Sequence, residues 1–166
     1  MKQVRFIYAS TPNGVIGLNG GLPWKLPEDM QYFKGKTLHQ TVMMGANTYD
    51  SLPASFKPLP NRKSVIVTSR PDEYKKFGTV TDDPIKYLRQ AKEDVWVIGG
   101  ASLYRQLEHL CTEVCHTEVF IDTPGDAYFD MDKKGWSIVM TTGILESKTG
   151  INYRITEYKK PCTLVD

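Results

Sequence analysis

Between Gly21 and Met30 the chain reads GLPWKLPEDM, where two prolines and a tryptophan lead into adjacent carboxylates, Glu28 and Asp29. A positioned acid can move or stabilise a proton. An acid in the first turn of a helix can also simply answer the macrodipole, worth roughly 0.3–1 kcal/mol. Taking Pro27 as the first helical residue, a turn of about 100° per residue puts Met30 and Phe33 on one apolar stripe. Asp29 then lies roughly 40° beyond Phe33 as its i,i+4 neighbour, whereas Glu28 lies roughly 140° away, near Tyr32 and Lys36. Helical geometry therefore places Asp29 at the border of a buried aromatic surface and leaves Glu28 facing water as a helix-start residue.

A second chemical signal is VWVIGGASLY, residues 95–104. A strand ends in two glycines and a helix follows, so backbone N–H groups gather at the carboxyl edge of a sheet, where phosphate is favoured. VMMGANTYDS repeats the strand–turn–helix pattern at Gly45, and Asn47 or Thr48 there could equally be a plain N-cap. Two such turns in one small sheet suit a dinucleotide, although a full G-x-G-x-x-G is absent. Cys111, Cys115 and His116 form a C-x3-C-H cluster with no second ligand pair downstream, so buried thiols beside an incidental histidine are expected rather than a metal. His39 and His109 stand alone.

The elements that must position these residues follow from periodicity. Strands are expected at Val4–Ser10, Thr41–Met44, Ser64–Thr68, Val95–Ile98 and Glu113–Val119, and helices at Pro27–Lys36, Asn47–Leu52, Pro84–Ala91 and Ala101–Leu110. Gly14–Gly21 reads as a mobile loop. Ser137–Leu145 and Asn152–Tyr158 flank Thr149-Gly150 as an antiparallel hairpin. This pattern predicts a single α/β domain over 1–166, with a mostly parallel twisted sheet of about eight strands, an antiparallel C-terminal hairpin and helices on both faces. A net charge of +2 without a basic run argues against nucleic acid. No apolar run reaches membrane-spanning length, and the N-terminus lacks a signal peptide's apolar region. Three cysteines (Cys111, Cys115, Cys162) cannot all pair, which suits a reducing, cytoplasmic setting.

Six segments in order give the chain a resemblance to dihydrofolate reductases: GVIGLNGGLPWKLPEDMQYF, TVMMGANTYDSLP, PLPNRKSVIVTSR, VIGGASLY, HTEV and GDAYF. The resemblance implies NADPH-dependent reduction of 7,8-dihydrofolate to 5,6,7,8-tetrahydrofolate, by a monomer that also takes antifolate-type small molecules. By the family's pattern Asp29 would hold the pterin's 2-amino group and N3, Thr117 would support it, and Trp24 would hold a water and close the pocket. Ile7, Ala9, Met30, Phe33, Leu52, Leu59 and Ile98 would form apolar walls, with Leu22 also shaping the inhibitor pocket. Arg62 would clamp the glutamate tail's carboxylate. The cofactor would meet Ala9, Ile16, Gly45, Ala46, Asn47, Thr48, Ile98, Gly99, Gly100, Ala101, Ser102 and Leu103, with Tyr104 near the nicotinamide and an adenosine-binding subdomain at about 40–91. Gly99 and Gly100 would share a cis peptide, and Thr11–Trp24 would be a lid.

One position departs from the pattern. The family usually has arginine after the M-G pair, on the 2′-phosphate of NADPH, and this chain has Ala46. Thr68, Ser69 and Arg70 at the end of the following strand are the replacements, Arg70 the best cation and Lys63 a weaker one. Two readings compete with the reductase: a non-catalytic NADP- or pterin-binding or structural protein on the same fold, and a pyrimidine reductase of riboflavin synthesis. Decay should also strike the pterin side, and the riboflavin enzymes are not expected to carry P-W-x-L-P-x-D or the Arg62 clamp.

Overall fold

Short β-branched runs become strands because they bury on both faces. Val42, Met43 and Met44 are fully buried, as are Val65 and Ile66. The computed structural model describes residues 2–161, so Cys162 lies outside the described residues. In chain order the elements are β1 Val4–Ser10, β2 Val15–Gly17, α1 Pro27–Thr37, β3 Thr41–Gly45, α2 Ala46–Ser51, β4 Lys63–Val67, α3 Pro71–Tyr74 and β5 Thr79–Thr81. There follow α4 Pro84–Gln90, β6 Val95–Val97, α5 Ala101–Leu107, β7 Glu113–Val119, β8 Ala127–Tyr128, β9 Ser137–Thr141, β10 Leu145–Glu146 and β11 Asn152–Lys159.

The main sheet has nine strands in the order β10-β11-β7-β1-β6-β3-β4-β5, with β9 also on β11. β7, β1, β6, β3, β4 and β5 run parallel to their neighbours, and β11 joins β7 antiparallel. Alternation along β1 sends Phe6 and Tyr8 into a core with Leu88 of α4 and Leu103, Tyr104 and Leu107 of α5. It sends Ile7 to the other face, with Tyr32 and Phe33 of α1, Tyr49 of α2 and Tyr74 of α3. The expected mixed sheet with helices on both faces is the one observed.

Several boundaries differ from the sequence reading. α2 starts at Ala46 with Gly45 as its N-cap, so neither Asn47 nor Thr48 caps it. α3 and β5, only four and three residues long, lie below the length at which periodicity shows. The expected glycine loop contains β2, which pairs with β8, and an isolated bridge joins Leu18 to Gly21. Val15 drives this ordering because its side chain is buried, packed where any side chain at Gly125 would collide with it. The first hairpin strand is split: β9 and β10 pair with different ends of β11 around Gly143, whose φ is 70°.

Alternation along β7 parts Cys115 from His116, and Cys111 lies before that strand, in the core with Phe6 and Tyr8. Cys111 and Cys115 are buried free thiols, and among the described residues no group of three or more His, Cys, Asp or Glu side chains is placed to hold a metal. His116 stacks on Tyr8 at 4.4 Å between centroids and shares a 2.7 Å hydrogen bond with Ser10 Oγ. Burial, then the positive charges of Lys133 and Arg154, push its pKa from 6.5 down to about 3. Between those values the unfolded chain takes a proton that the native state refuses, so stability falls as pH drops through this window. The loss from this one group is about 1.4 kcal/mol per pH unit. Urea midpoints measured at pH 7 and pH 5 should therefore differ less in His116→Leu than in the wild type, and equal differences would refute this role.

Candidate active site

α1 begins where the sequence reading placed it, with Pro27 at the first helical position and Glu28 and Asp29 in the first turn. The backbone N–H groups of Asp29 and Met30 both bond to Leu26 C=O, at 3.0 and 3.1 Å. Asp29 is half-buried over the seam where Ala9 of β1 and Ile155 of β11 flank Thr117 of β7 in register. Thr117 donates its hydroxyl to Asp29 Oδ1 at 2.6 Å. Burial pushes the Asp29 pKa up, and the Thr117 hydrogen bond only partly offsets it.

Glu28 corrects its own expectation. It is not a solvated helix-start residue: it accepts hydrogen bonds from the Ser147 hydroxyl and the Lys148 N–H, and both hold its carboxyl below the ordinary range. The helical wheel could not show this, because the partners arrive from the far end of the chain.

A cleft of about 510 Å³ opens beside this turn, lined by Leu22, Trp24, Lys25, Leu26, Pro27, Asp29, Met30 and Gln31. Trp24 is buried, and its Nε1 has no hydrogen-bond partner among the described residues. Met30 is 57% exposed, against the expected shared apolar stripe with Phe33, because it stands at the mouth of this open cleft rather than over the sheet. Phe33, Leu52, Leu59 and Ile98 do pack in one cluster with Ile7, while Ala9 joins the neighbouring cluster around Trp24. Arg62 stands near the other end of α1. Its guanidinium donates to Thr37 Oγ1 at 3.1 Å and to Pro60 C=O at 3.0 Å, and lies 5.9 Å from the Phe33 ring centre.

The glycine turns meet at adjacent strand ends, since β6 lies between β1 and β3. Gly45 N–H donates to Gly99 C=O at 2.9 Å. The Gly99-Gly100 peptide is cis, and Gly99 has φ 126°, a region that favours glycine. A Cβ at Gly100 would meet Thr48 Oγ1 at 3.4 Å. No side chain caps α5, so the N–H groups of Ala101, Ser102 and Leu103 open onto this edge. The Leu103 side chain turns into the core, leaving only its backbone to face the turn. Tyr104 is buried beside Phe6 and Phe129, and its hydroxyl donates to Ile7 C=O at 2.7 Å, which ties α5 to β1.

Ala46 is half-buried at the start of α2. Val67 pairs with Gly45, so Thr68, Ser69 and Arg70 follow at the same carboxyl edge. Thr68 Oγ1 accepts the Arg70 N–H at 3.0 Å. Arg70 makes one exposed ion pair, to Glu73 at 3.4 Å. Lys63 pairs with Thr41 at the opposite end of β4 and bonds to Glu93, which removes it as a candidate for this edge.

Ile16 lies in β2, within the segment expected to form a lid. That segment is tied down by β2–β8 pairing and by Asn19 N–H on Asp126 Oδ2 at 2.9 Å. The Glu28–Ser147 contact and the Asp126 tether were both missed in the sequence. GDAYF carried a weak signal for the second, and nothing local signalled the first.

Sheet, glycine turns and acid-lined cleft together define an α/β protein with a dinucleotide-type edge beside a pocket served by one carboxylate. The family model described as dihydrofolate reductase matches residues 3–160. The dihydrofolate reductase of Bacillus subtilis (strain 168) is 34% identical over 162 residues, covering 95% of each chain. That of Mycobacterium tuberculosis (strain H37Rv) is 35% identical over 166 residues, 96% of this chain and 99% of the relative. A solved dihydrofolate reductase from Enterococcus faecalis, complexed with NADP(H) and RAB-propyl, superposes with a TM-score of 0.83 at 28% identity, covering 96% of this chain and 97% of that one. The chain belongs to the dihydrofolate reductase family.

The raised Asp29 pKa has a consequence for stability. Below the ordinary carboxyl value of about 3.9 both folded and unfolded states are protonated. As pH climbs through the higher folded value, the unfolded chain has already ionised while the native state carries a desolvated charge, so native stability declines. Asp29→Asn removes that charge and keeps an oxygen for Thr117. Its melting temperature should exceed that of the wild type at pH 8, with the gap closing at acid pH; a lower value at pH 8 would contradict the burial effect.

Proposed function

We propose that Asp29 is the pterin-binding carboxylate of an NADPH-dependent dihydrofolate reductase. Family membership makes the reaction the reduction of 7,8-dihydrofolate to tetrahydrofolate. The observation that carries the residue assignment is that Asp29 is the only acid lining the cleft among the described residues, with a raised pKa and its carboxylate held by Thr117.

NADPH, when bound, supplies a hydride from nicotinamide C4 to pterin C6. The chain's residues do the rest. Asp29 grips the 2-amino group and N3, far from N5, and its charge stabilises a ring that is gaining a proton. The N5 proton then arrives through a water admitted by the lid, and the unpartnered Trp24 N–H is a suitable donor for holding such a water. Ile7, Ala9, Met30, Phe33, Leu52, Leu59 and Ile98 exclude other water. Arg62 retains free donors beyond Thr37 and Pro60, and its planar fork suits the tail carboxylate. Antifolates are proposed to compete for the same grip on Asp29.

The cofactor fits the residues present. Gly45, Ala46, Asn47, Thr48 and the open N–H groups from Gly99 to Leu103 are assigned to the pyrophosphate, and a Cβ at Gly45 would meet only Gly99 O, at 4.0 Å. Ile16 and Tyr104 are assigned to the nicotinamide side. Residues 40–91 form the adenosine side, with Thr68, Ser69 and Arg70 on the 2′-phosphate. All these roles fall within one chain, so we assign a monomer, and the two buried free thiols suit a reducing, cytoplasmic compartment.

Two outcomes test these roles. Asp29→Asn should retain NADPH binding and lose most hydride transfer near neutral pH, measured by single-turnover absorbance; normal turnover would overturn the assignment. With Ala46 in place of the usual arginine, NADPH should be preferred over NADH by a narrow margin that Arg70→Ala shrinks further. The ratio of kcat/KM values for the two cofactors checks this, and a ratio unmoved by Arg70→Ala would remove Arg70 from the site.

A further inference from the structure

The helix that carries Asp29 starts without a side-chain cap, because Leu26 occupies the N-cap position. Its first turn is tied down from elsewhere. The Glu28 carboxylate accepts the Ser147 hydroxyl at 2.7 and 3.1 Å and the Lys148 N–H, 120 residues away, at 3.0 Å. Ser147 is 3% exposed. Its Oγ accepts Thr149 N–H at 3.1 Å, and the single hydroxyl proton of Thr149 serves Lys25 C=O at 2.8 Å or Ser147 Oγ at 2.9 Å. The turn is closed on itself by Ser147 N–H on Ile151 C=O and Gly150 N–H on Ser147 C=O, each 2.8 Å. It leads directly into β11, which pairs with the Thr117 strand.

Two adjacent carboxylates thus bind two parts of the same antiparallel unit. Asp29 holds β7 through Thr117, and Glu28 holds the turn that precedes β11. A half-exposed acid whose only task was to answer the helix dipole would need no donors from the end of the chain. We infer that Glu28 is a positioning residue: with Ser147 and Lys148 it clamps the first turn of α1, and so fixes where the Asp29 carboxylate meets the substrate.

The inference rests on the role proposed for Asp29, and its test separates the two. Hydride transfer, dihydrofolate KM and NADPH affinity are measured for E28A, E28Q, S147A, E28A/S147A and D29N. Misplacing a binding group by about an ångström costs up to roughly a hundredfold, so E28A should lower kcat/KM for dihydrofolate by roughly tenfold or more while leaving NADPH affinity unchanged. E28Q keeps an acceptor for Ser147 and Lys148 and should recover most of the rate. S147A should reproduce part of the loss, and the double variant should be no worse than E28A. Wild-type rates in E28A, losses that multiply in the double variant, or NADPH affinity falling in step with rate would each overturn the clamp. Should E28A fail to fold, S147A and E28Q carry the same comparison. An active D29N would instead remove the Asp29 reading, whereas an inactive D29N beside a normal E28A would remove only the clamp.

Discussion

The structure depends on holding one carboxylate where water is scarce. Burial works against the charged form of Asp29, and a single 2.6 Å hydrogen bond from Thr117 only partly offsets it. The helix that carries it packs Tyr32 and Phe33 against the sheet, although Thr37 is its only buried residue. Polar contacts complete its docking. Glu28 meets Ser147, Tyr32 donates to Glu157 at 2.6 Å, Lys36 pairs with Glu157 at 2.9 Å, and Thr37 meets Arg62. Directional bonds fix a helix in register more sharply than a non-directional apolar stripe does. A buried carboxylate held by one hydrogen bond depends on that sharpness.

The two halves of the sheet answer different demands. Parallel strands β1, β6 and β3 end side by side, so the turns at Gly45 and Gly99 approach within one hydrogen bond and present backbone donors to one edge. Bare backbone donors at a sheet edge are what an anion favours, and glycine supplies them. The antiparallel end, β7 with β11, needs no crossover helix and leaves one face open for α1. Its hydroxyls and carboxylates are therefore available as anchors: Thr117, Glu157 and, in the turn before β11, Ser147.

Legibility in the sequence followed the range of the interaction. The long strands were readable because burial demands a run of apolar residues bounded by turn signals, as in VRFIYAS and TVMMG, and α1 because Pro27 marks its start. The divergent faces of Glu28 and Asp29 were only half readable. A helical wheel gives direction and says nothing of what lies in that direction, so Asp29 was placed correctly and Glu28 was not. Met30 failed for the related reason that an apolar residue at a ligand cleft keeps the exposure the ligand would remove. α3, β5 and β2 were invisible because three or four residues carry no period. Gly99-Gly100 stood out in sequence, yet it took the register of β3 and β4 to show which residues share its edge and to exclude Lys63.

The segment from Thr11 to Trp24 is held unevenly along its length. Its middle holds by burial of Val15, β2–β8 pairing and the Asn19 contact with the exposed Asp126 carboxylate, and just past its end Thr149 donates to Lys25 C=O. At that same end, beside Lys25, Trp24 and Leu26 are buried with Val119, Tyr153 and Ile155. A typical hydrogen bond is worth about 0.5–1.5 kcal/mol net, so the exposed stretch around Asn19 is held far more lightly than buried Val15. Apolar burial at Val15 and at Trp24 thus brackets an exposed stretch from Asn19 to Leu22. A segment anchored on both sides and bare between them is loosest at its tip, where few buried apolar contacts oppose local opening.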